Sequence, residues 1–467
     1  MTPWLRRGSM GMVLALVVAA CGSPTPTASG VPSASAEASS PAPSGSTAPS
    51  VAPTPAPTTS VVTSSPIASK GAIAVLGADG ALSIVDAGGR SVPAGGGGGT
   101  EAFGFPTWSP DGSKIASVRT KGSDIAVVIL DAKDIAKGLP VPPAPIFDKT
   151  GVEPFYLYWS PDGNSVSFLA TEGTDLALRL APADGSAPLD GSGPGSVVRS
   201  GNPFYYDWLA DDRLIAHIGT GPDGFLGQVG LDGRTSAPIK GPSADFRPPV
   251  VSHDRKSIAF VRTTNGVQND VVVTALDGSR EASLTVVGPS AIAFDPSGDT
   301  LGAIGAEDVS TMAAFPLGPL KLLDRSGKQR TLLDGLVVSF WWSPDGKTVA
   351  AVRVVQTTPS TSPAPVASGA TPAPTPEPTG EVHLVFVDVA SGKVLSDPVI
   401  RPASTFVNGI LSYFDQYSLS HRMWAPDGAS FLMPEVDEAG ATFLAVRYAD
   451  GRPPVALDGA IGFWSPS

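Results

Sequence analysis

Short apolar runs separated by turn residues make up the chain from about residue 70 onward. The first run, AIAVL at 72–76, is followed by Asp79-Gly80 and by a second run at 81–85. Runs of this length bounded by Gly, Pro and Asp predict β-strands joined by hairpin turns. Similar pairs of runs recur at 114–118 with 125–130 and at 257–261 with 271–276. No convincing helical period is found after the N-terminal 20 residues, so the pattern predicts an all-β fold.

The pentapeptide Trp-Ser-Pro-Asp-Gly divides these runs into repeating units. Each unit reads as four strands, A to D: strand A ends at the Trp, and Ser-Pro-Asp-Gly forms the turn into strand B. The spacing is about 40 to 50 residues, except where a Ser/Pro/Thr/Ala tract at 357–380 and a long connection at 402–418 lengthen one interval. Such a period indicates one supersecondary unit copied many times. Intact or degenerate copies begin at Trp108, Trp159, Trp208, Val251, Phe294, Trp342, Trp424 and Trp464.

These motifs resemble the TolB-like family of β-propeller repeats, whose blades carry this turn. The resemblance covers roughly residues 70–467 and implies a single β-propeller. Eight four-stranded blades are expected, within the usual range; seven is the alternative, because the units at Val251 and Phe294 are degenerate. The N-terminal unit has strands B, C and D but no strand A, whereas 460–464 reads as a strand A with nothing after it. We therefore expect strands from both ends to complete one blade, which would remove an exposed strand edge.

The first 69 residues have a different composition. Arg6 and Arg7 precede an apolar stretch that is too short to span a bilayer, and Val18-Ala-Ala-Cys21 resembles a bacterial lipobox. We predict a lipoprotein signal peptide at 1–20 and acylation of Cys21, the chain's one cysteine. A disordered Ser/Pro/Ala-rich tether over 21–69 would hold the propeller at 70–467 away from the lipid. The predicted location is the extracytoplasmic face of the cell membrane, at the cell surface or in the periplasm.

Charge and residue chemistry exclude several classes of function. The formal net charge of −12 argues against nucleic-acid binding, which needs a basic surface. The four histidines lie in different units, without a His or Cys neighbour at metal-ligand spacing. A G-x-S-x-G nucleophile motif and an Asp-rich calcium loop are both absent from the sequence. We therefore predict no catalytic residue, no cofactor and no metal, and a protein that is not an enzyme.

One group of aromatic residues is the candidate binding surface. Segments 154–159 and 203–208 enter strand A with near-identical sequences, and the connection at 402–418 adds further aromatics. In propellers, strands A line the central channel, and such loops lie on the face opposite the Trp-Ser-Pro-Asp-Gly turns. Packing between blades is the commoner role of such side chains, and a ligand or partner surface is the alternative. The candidate residues are Tyr156, Tyr158, Tyr205, Tyr206, Asp207, Phe406, Tyr413, Phe414 and Tyr417.

The sequence thus favours a membrane-anchored binding or scaffold protein for a protein, small-molecule or glycan ligand, with no catalysis of its own. One alternative is a ligand-sensing ectodomain that serves a separate membrane partner. A second alternative is a propeller lyase or hydrolase with its site in the channel. Such an enzyme would need convergent titratable groups, drawn from Asp207, Asp245, Arg247, Glu153 and His421.

Overall fold

Antiparallel β-strands make up nearly all of the regular structure in this computed structural model. The structure describes residues 62–63, 65–139, 141–172, 175–193, 196–220, 224–236, 239, 247–357 and 379–467. The predicted signal peptide, Cys21, most of the tether and most of the 357–380 tract lie outside the described residues. The predicted all-β class is confirmed, and the repeated four-stranded antiparallel sheets are consistent with a β-propeller.

The first sheet joins strands from the two ends of the described chain. Its strand order is β1-β4-β3-β2-β31, and β31 pairs with β2 in an antiparallel register that places Ile73 opposite Trp464 and Leu76 opposite Ile461. The predicted pairing of 460–464 with the N-terminal strands is therefore confirmed. The strands are β1 (Val62–Thr63), β2 (Ile73–Leu76), β3 (Leu82–Val85), β4 (Arg90–Gly95) and β31 (Ile461–Trp464).

Three separate four-stranded sheets follow along the chain, each with sequential antiparallel pairing. The first contains β5 (Glu101–Trp108), β6 (Lys114–Lys121), β7 (Asp124–Asp131) and β8 (Ala144–Asp148). The second contains β9 (Val152–Trp159), β10 (Ser165–Glu172), β11 (Asp175–Pro182) and β12 (Val197–Ser200). The third contains β13 (Phe204–Ala210), β14 (Arg213–Ile218), β15 (Phe225–Gly230) and β16 (Thr235–Ser236).

An eleven-stranded sheet comes next, because two long strands each serve two successive units. The N-terminal half of β20 pairs with β19 and its C-terminal half with β21, and β23 joins β22 to β24 in the same way. Each long strand is thus the strand D of one unit and the strand A of the next. The strands are β17 (Val250–Val251), β18 (Ser257–Asn265), β19 (Gln268–Ala275), β20 (Ala282–Phe294), β21 (Thr300–Ala306), β22 (Gly318–Asp324), β23 (Gln329–Trp342), β24 (Thr348–Thr357), β25 (Thr379–Asp388), β26 (Val394–Ser396) and β27 (Val399–Ile400).

The last sheet contains β28 (Ser430–Val436), β29 (Thr442–Tyr448) and β30 (Val455–Leu457). An isolated bridge from Trp424 to Phe431 supplies its fourth, inner position. The expectation that no helix follows the N-terminal segment is wrong at two places, where a short helix sits in a connection between strands. The helical segments are α1 (Ala132–Ala136), a 3₁₀ turn (Val309–Thr311), a π-helical turn (Phe406–Ile410), a second 3₁₀ turn (Leu411–Tyr413) and α2 (Phe414–Ser420).

The Ser-Pro-Asp-Gly turns have the chemistry that the sequence predicts. In the first copy, the Ser109 hydroxyl donates to Asp111 Oδ1 at 2.6 Å and accepts from the Lys114 amide at 2.9 Å. Gly112 closes the turn at φ +70°, a conformation that favours glycine. Hydrogen bonds from the Ser109 hydroxyl and the Ser113 amide lower the pKa of Asp111 to about 2. The same Ser–Asp pair forms at Ser160, Ser252 and Ser343, so these aspartates act as turn formers.

Four of the repeated tryptophans bind their unit to the one before it. Four indole Nε1–H groups donate across the unit boundary to the carbonyl of the residue just before the preceding unit's aromatic. These bonds run from Trp108 to Phe463, Trp159 to Thr107, Trp342 to Ala293 and Trp424 to Trp341, at 3.0–3.2 Å. The bond from Trp108 reaches β31, so the same repeated contact also crosses between the two ends of the chain. The predicted packing role of the tryptophans agrees with these contacts.

The packed part of the chain begins before residue 70, where the sequence placed the end of the tether. Ile67 is buried against the last unit, and the Ser69 hydroxyl shares a 2.6 Å hydrogen bond with Ser430. The Lys70 amide donates to Asp427 at 2.7 Å. The packed part thus extends into the predicted tether of 21–69, because β1 pairs with β4 and residues 67–69 contact the last unit.

Candidate functional site

The long connection at 402–423 folds back into the space that the inner strands surround. We call these residues the plug. The Tyr156 hydroxyl donates to the Gln416 carbonyl at 3.1 Å, and the Thr107 hydroxyl donates to the Ser420 carbonyl at 3.0 Å. The Thr405 hydroxyl donates to the Ala460 carbonyl at 2.8 Å. Thr107 and Tyr156 lie in the second and third sheets, and Ala460 directly precedes β31 of the first sheet. The plug is therefore held from several sides.

Aromatic rings of the plug pack against aromatic rings of the neighbouring strands. Phe414 lies 5.2 Å from the Trp341 ring and 5.6 Å from the Phe340 ring, measured between centroids. Phe406 lies 5.9 Å from Trp341, and His421 lies 4.5 Å from the Phe463 ring of β31. Aromatic pairs at these separations stabilise a contact beyond their buried area. The plug is thus a packed element of the core.

Two strands A carry a bulge that turns an aromatic side chain toward the plug. Phe105 and Tyr156 stand three residues before Trp108 and Trp159, and both have positive φ, at 53° and 49°. The strand register shifts at each site, as expected for a β-bulge. Phe105 stacks on Tyr417 at 6.4 Å and Tyr156 meets Tyr417 edge-on at 5.9 Å. Left-handed backbone is costly for such residues, so these bulges are held by their packing.

The predicted aromatic surface is largely interior. Tyr156, Tyr206, Phe406, Phe414 and Tyr417 are buried, Tyr158 and Tyr205 are half-buried, and Tyr413 is 51% exposed. The expectation that the 402–418 connection displays its aromatics is therefore wrong for three of its four rings, since the connection folds inward. The structure does bring the two groups together, because Tyr417 contacts Tyr156.

Asp207 joins three neighbouring units from a buried position. Its Oδ1 accepts from the Tyr158 hydroxyl at 3.0 Å and from the Trp208 amide at 2.8 Å, and its Oδ2 accepts from the Val251 amide at 2.7 Å. Burial raises the pKa of Asp207 to about 6, although the hydrogen bond from Val251 acts in the opposite direction. Val251 replaces the Trp of its unit, so Asp207 supplies a cross-unit bond where an indole is missing.

A cavity of about 500 Å³ lies on the side of the Trp-Ser-Pro-Asp-Gly turns, not on the opposite face where the sequence placed the binding loops. Its walls are inner-strand aromatics and the prolines of four turns, together with residues 418–423 of the plug and Trp424, which follows the plug. The residues that line it are Thr107, Trp108, Pro110, Tyr158, Trp159, Pro161, Asp207, Trp208, Val250, Val251, Ser252, His253, Arg255, Ala293, Phe294, Pro296, Phe340, Trp341, Trp342, Pro344, Ser418, Leu419, Ser420, His421, Arg422, Met423 and Trp424.

The polar groups of this cavity differ in their protonation. Burial lowers the pKa of His421 to about 3, and its Nδ1 shares a 2.7 Å hydrogen bond with the Ser420 hydroxyl. Burial also lowers the pKa of His253, so both imidazoles are mainly neutral at pH 7. The side chains of Arg255 and Arg422 are exposed. The sequence reasoning did not select these two arginines: Arg255 stands at the Gly position of the degenerate copy that begins at Val251, and Arg422 belongs to no repeated motif.

The residues proposed for an enzymatic site are only partly brought together. Asp207 and His421 line the cavity, whereas Glu153 and Arg247 are not part of its lining. Asp245 lies outside the described residues. The hydrogen-bonding capacity of Asp207 is taken up by Tyr158 and two backbone amides. This carboxylate therefore has a structural role in the described arrangement.

In the described ranges, no group of three or more His, Cys, Asp or Glu side chains is placed to hold a metal ion. None of the helices in the described part of the chain has the length and apolarity that a membrane span requires.

Comparisons with known proteins give structural likenesses alone. No protein-family model matches the chain, and no curated protein matches it. Similar solved structures include TolB from Acinetobacter baumannii, at 19% identity and a TM-score of 0.35 over 56% of this chain and 63% of that one. The chain thus spans less than two thirds of that TolB.

Two others differ in their reported activity. The dihydro-heme d1 dehydrogenase NirN has 15% identity and a TM-score of 0.49 over 87% of this chain and 80% of its own. Oligogalacturonate lyase from Vibrio parahaemolyticus has 10% identity and a TM-score of 0.39 over 58% of this chain and 80% of its own. With every TM-score below 0.5, these likenesses carry no argument about function.

Proposed function

We propose that this protein is a lipid-anchored, extracytoplasmic β-propeller that binds a small ligand in the cavity on its turn side and performs no catalysis. The cavity is the observation that carries the proposal. Its volume falls in the range of about 300–1,000 Å³ that is usual for small-molecule sites. Its walls combine aromatic rings with a few polar groups, which is the common composition of such sites.

The proposed propeller has eight blades. The first sheet, the three separate sheets and the last sheet supply five units, of which the first carries the two-residue β1 as a fifth strand. The eleven-stranded sheet divides at β20 and β23 into three more, because each of these strands serves two units. The pairing of β31 with β2 and the Trp108–Phe463 bond support closure between the ends.

A small ligand fits this site better than a protein partner. The connection at 402–418 was the sequence's candidate for a protein-binding surface, and three of its aromatic rings are buried in the plug. Protein interfaces draw most of their energy from accessible aromatic and arginine side chains. The C-terminal residues of the plug, 418–423, instead line the cavity, and a rigid lining preorganises a small-molecule site.

Filling the cavity with a side chain tests this function. Ser418 lines the cavity from the end of the plug and is half-buried, so S418F would occupy ligand space with little cost to the core. Mass spectrometry of small molecules that co-purify from cell envelopes should show a ligand with the unaltered protein and its loss in S418F. S412F serves as control, because Ser412 is in the plug but does not line the cavity. Equal ligand recovery from S418F and the unaltered protein would refute the site.

The anchor has a separate test. The lipobox at Val18–Cys21 and the Ser/Pro/Ala-rich segment behind it support lipidation. C21S should move the protein from the membrane fraction to the soluble fraction, because acylation at this thiol would be the attachment. S23A, two residues away, is the matched control and should stay in the membrane fraction. Membrane retention of C21S after a high-salt wash would contradict the anchor.

A further inference from the structure

We propose that the ligand of the turn-side cavity is a small organic anion, whose carboxylate or phosphate group pairs with Arg422 while its body lies against the aromatic wall. The inference rests on the proposed function, since it assumes that the cavity is a ligand site. Its basis is the placement of one exposed arginine in the cavity of an acidic protein.

The backbone around Arg422 is fixed. The Arg422 carbonyl accepts from the Trp464 amide at 2.8 Å, and the next residue, Met423, accepts from the Leu432 amide at 2.8 Å. His421 on the other side is buried against Phe463. The guanidinium therefore starts from a well-defined position, and positioning of this kind lowers the entropic cost of binding.

The side chain of Arg422 is exposed and lines the cavity. Among the described residues, no carboxylate lies within ion-pair distance of its guanidinium, although twelve contacts between an arginine and a carboxylate are found elsewhere in those ranges. Burial of the surroundings lowers the pKa of Arg422, which remains a cation at neutral pH. Because the guanidinium lines a cavity and has no carboxylate partner among the described residues, an incoming oxyanion can pair with it without displacing another ion.

The rest of the lining does not cancel this charge. Asp207 is the one carboxylate among the lining residues, and three hydrogen bonds already satisfy it. Arg255 also interacts with Asp207 and lies 3.8 Å from Asp211. The cavity therefore contains two arginines and one internally satisfied aspartate, within a protein of net charge −12. A positive lining in an acidic protein indicates an anionic ligand.

The wall sets the shape of the ligand body. Six of the eight tryptophans of the sequence line the cavity, with the prolines of four turns between them. Such a wall suits a flat or ring-shaped apolar group, and the planar guanidinium binds carboxylate or phosphate through two parallel hydrogen bonds. The two requirements together describe an aryl or cyclic carboxylate or phosphate ester.

Benzoate and benzyl alcohol form a matched probe pair, because they share a ring and differ in charge. We expect calorimetric titration at pH 7.5 to give benzoate an affinity at least about tenfold higher than that of benzyl alcohol. R422Q should remove this preference, and R422K should keep part of it because the charge remains without the two parallel donors. R234Q is the control: Arg234 is 89% exposed and is not part of the cavity lining, and its loss changes the net charge equally.

Each outcome separates the two proposals. If both probes bind with equal affinity and S418F binds neither, the anion inference is overturned and the small-ligand function still stands. Binding of neither probe, together with S418F recovering the same small molecules as the unaltered protein, would overturn both. Benzoate binding that survives R422Q would also overturn the role of Arg422. If R422Q does not fold, the same titration of R422K decides: a reduced preference for benzoate over benzyl alcohol supports the inference, and an unchanged preference opposes it.

Discussion

Truncation after Gly459 is expected to prevent stable folding. The deletion removes β31, which pairs with β2, buries Phe463 and Trp464 and accepts the indole bond from Trp108. Loss of two buried aromatic side chains alone costs about 5 kcal/mol or more, which is comparable to the whole stability of many domains. The deletion would also leave β2 as an unpaired edge, and such edges promote aggregation. Circular dichroism, thermal unfolding and size-exclusion chromatography would measure the effect.

Two variants make this test specific for the seam between the chain ends. A chain ending at Pro466 loses just Ser467, whose carbonyl accepts from the Ser465 hydroxyl, and should unfold within about 1 kcal/mol of the full chain. G462V keeps every residue of β31, but a Cβ at Gly462 would meet the Leu444 side chain at 2.5 Å. It should destabilise strongly by overpacking. A monomeric truncated protein with an unchanged unfolding midpoint would show that β31 is dispensable.

Replacement of Trp424 by Ala should lower the free energy of unfolding by about 3–5 kcal/mol. Trp424 is buried, meets the rings of Phe386 and Phe431 at 5.5 Å, and donates from Nε1 to the Trp341 carbonyl at 3.0 Å. W424F separates the hydrogen bond from the packing, since it keeps an aromatic ring. W424F should lower the free energy of unfolding by about 1 kcal/mol more than W464F does.

Trp464 is the matched control because it occupies the same repeat position without the hydrogen bond. It is fully buried, and its Nε1 has no hydrogen-bond partner among the described residues. W464F therefore loses ring volume but also removes an unsatisfied buried donor, whose presence is itself costly. Urea unfolding of both Phe variants would compare the two positions. Equal losses would mean that the cross-unit hydrogen bonds add nothing measurable to packing.

The features that depend on local chemistry could be predicted from the sequence. Ser109, Asp111 and Gly112 determine their turn by hydrogen bonds within five residues, so one copy of the motif suffices to predict it. The pairing of β31 with β2 is long-range, yet it also followed from the sequence. The N-terminal unit lacks a strand A, and the C-terminal strand A lacks the rest of a unit. Pairing the two completes one unit.

The plug could not be predicted in this way. Whether a long connection folds outward or inward depends on the free space between distant strands, and the sequence of the loop does not encode that space. A partial signal was present: Phe406, Val407, Ile410, Phe414 and Tyr417 are apolar at near-helical intervals, and all five are buried. The cavity is a consequence of where the plug ends, so Arg422 could not be distinguished from any other loop arginine.

The hydrogen bond from the Trp464 amide to the Arg422 carbonyl couples two parts of the molecule. Arg422 is the proposed ligand contact, and Trp464 belongs to the strand that joins the chain ends. A ligand held at Arg422 would bind the state in which β31 is docked more tightly than any state in which it has frayed. By thermodynamic linkage, an occupied cavity would slow hydrogen exchange along β31 and β2, and an opened seam would release the ligand. The rate of hydrogen exchange in β31 and β2 would thus indicate whether the cavity is occupied.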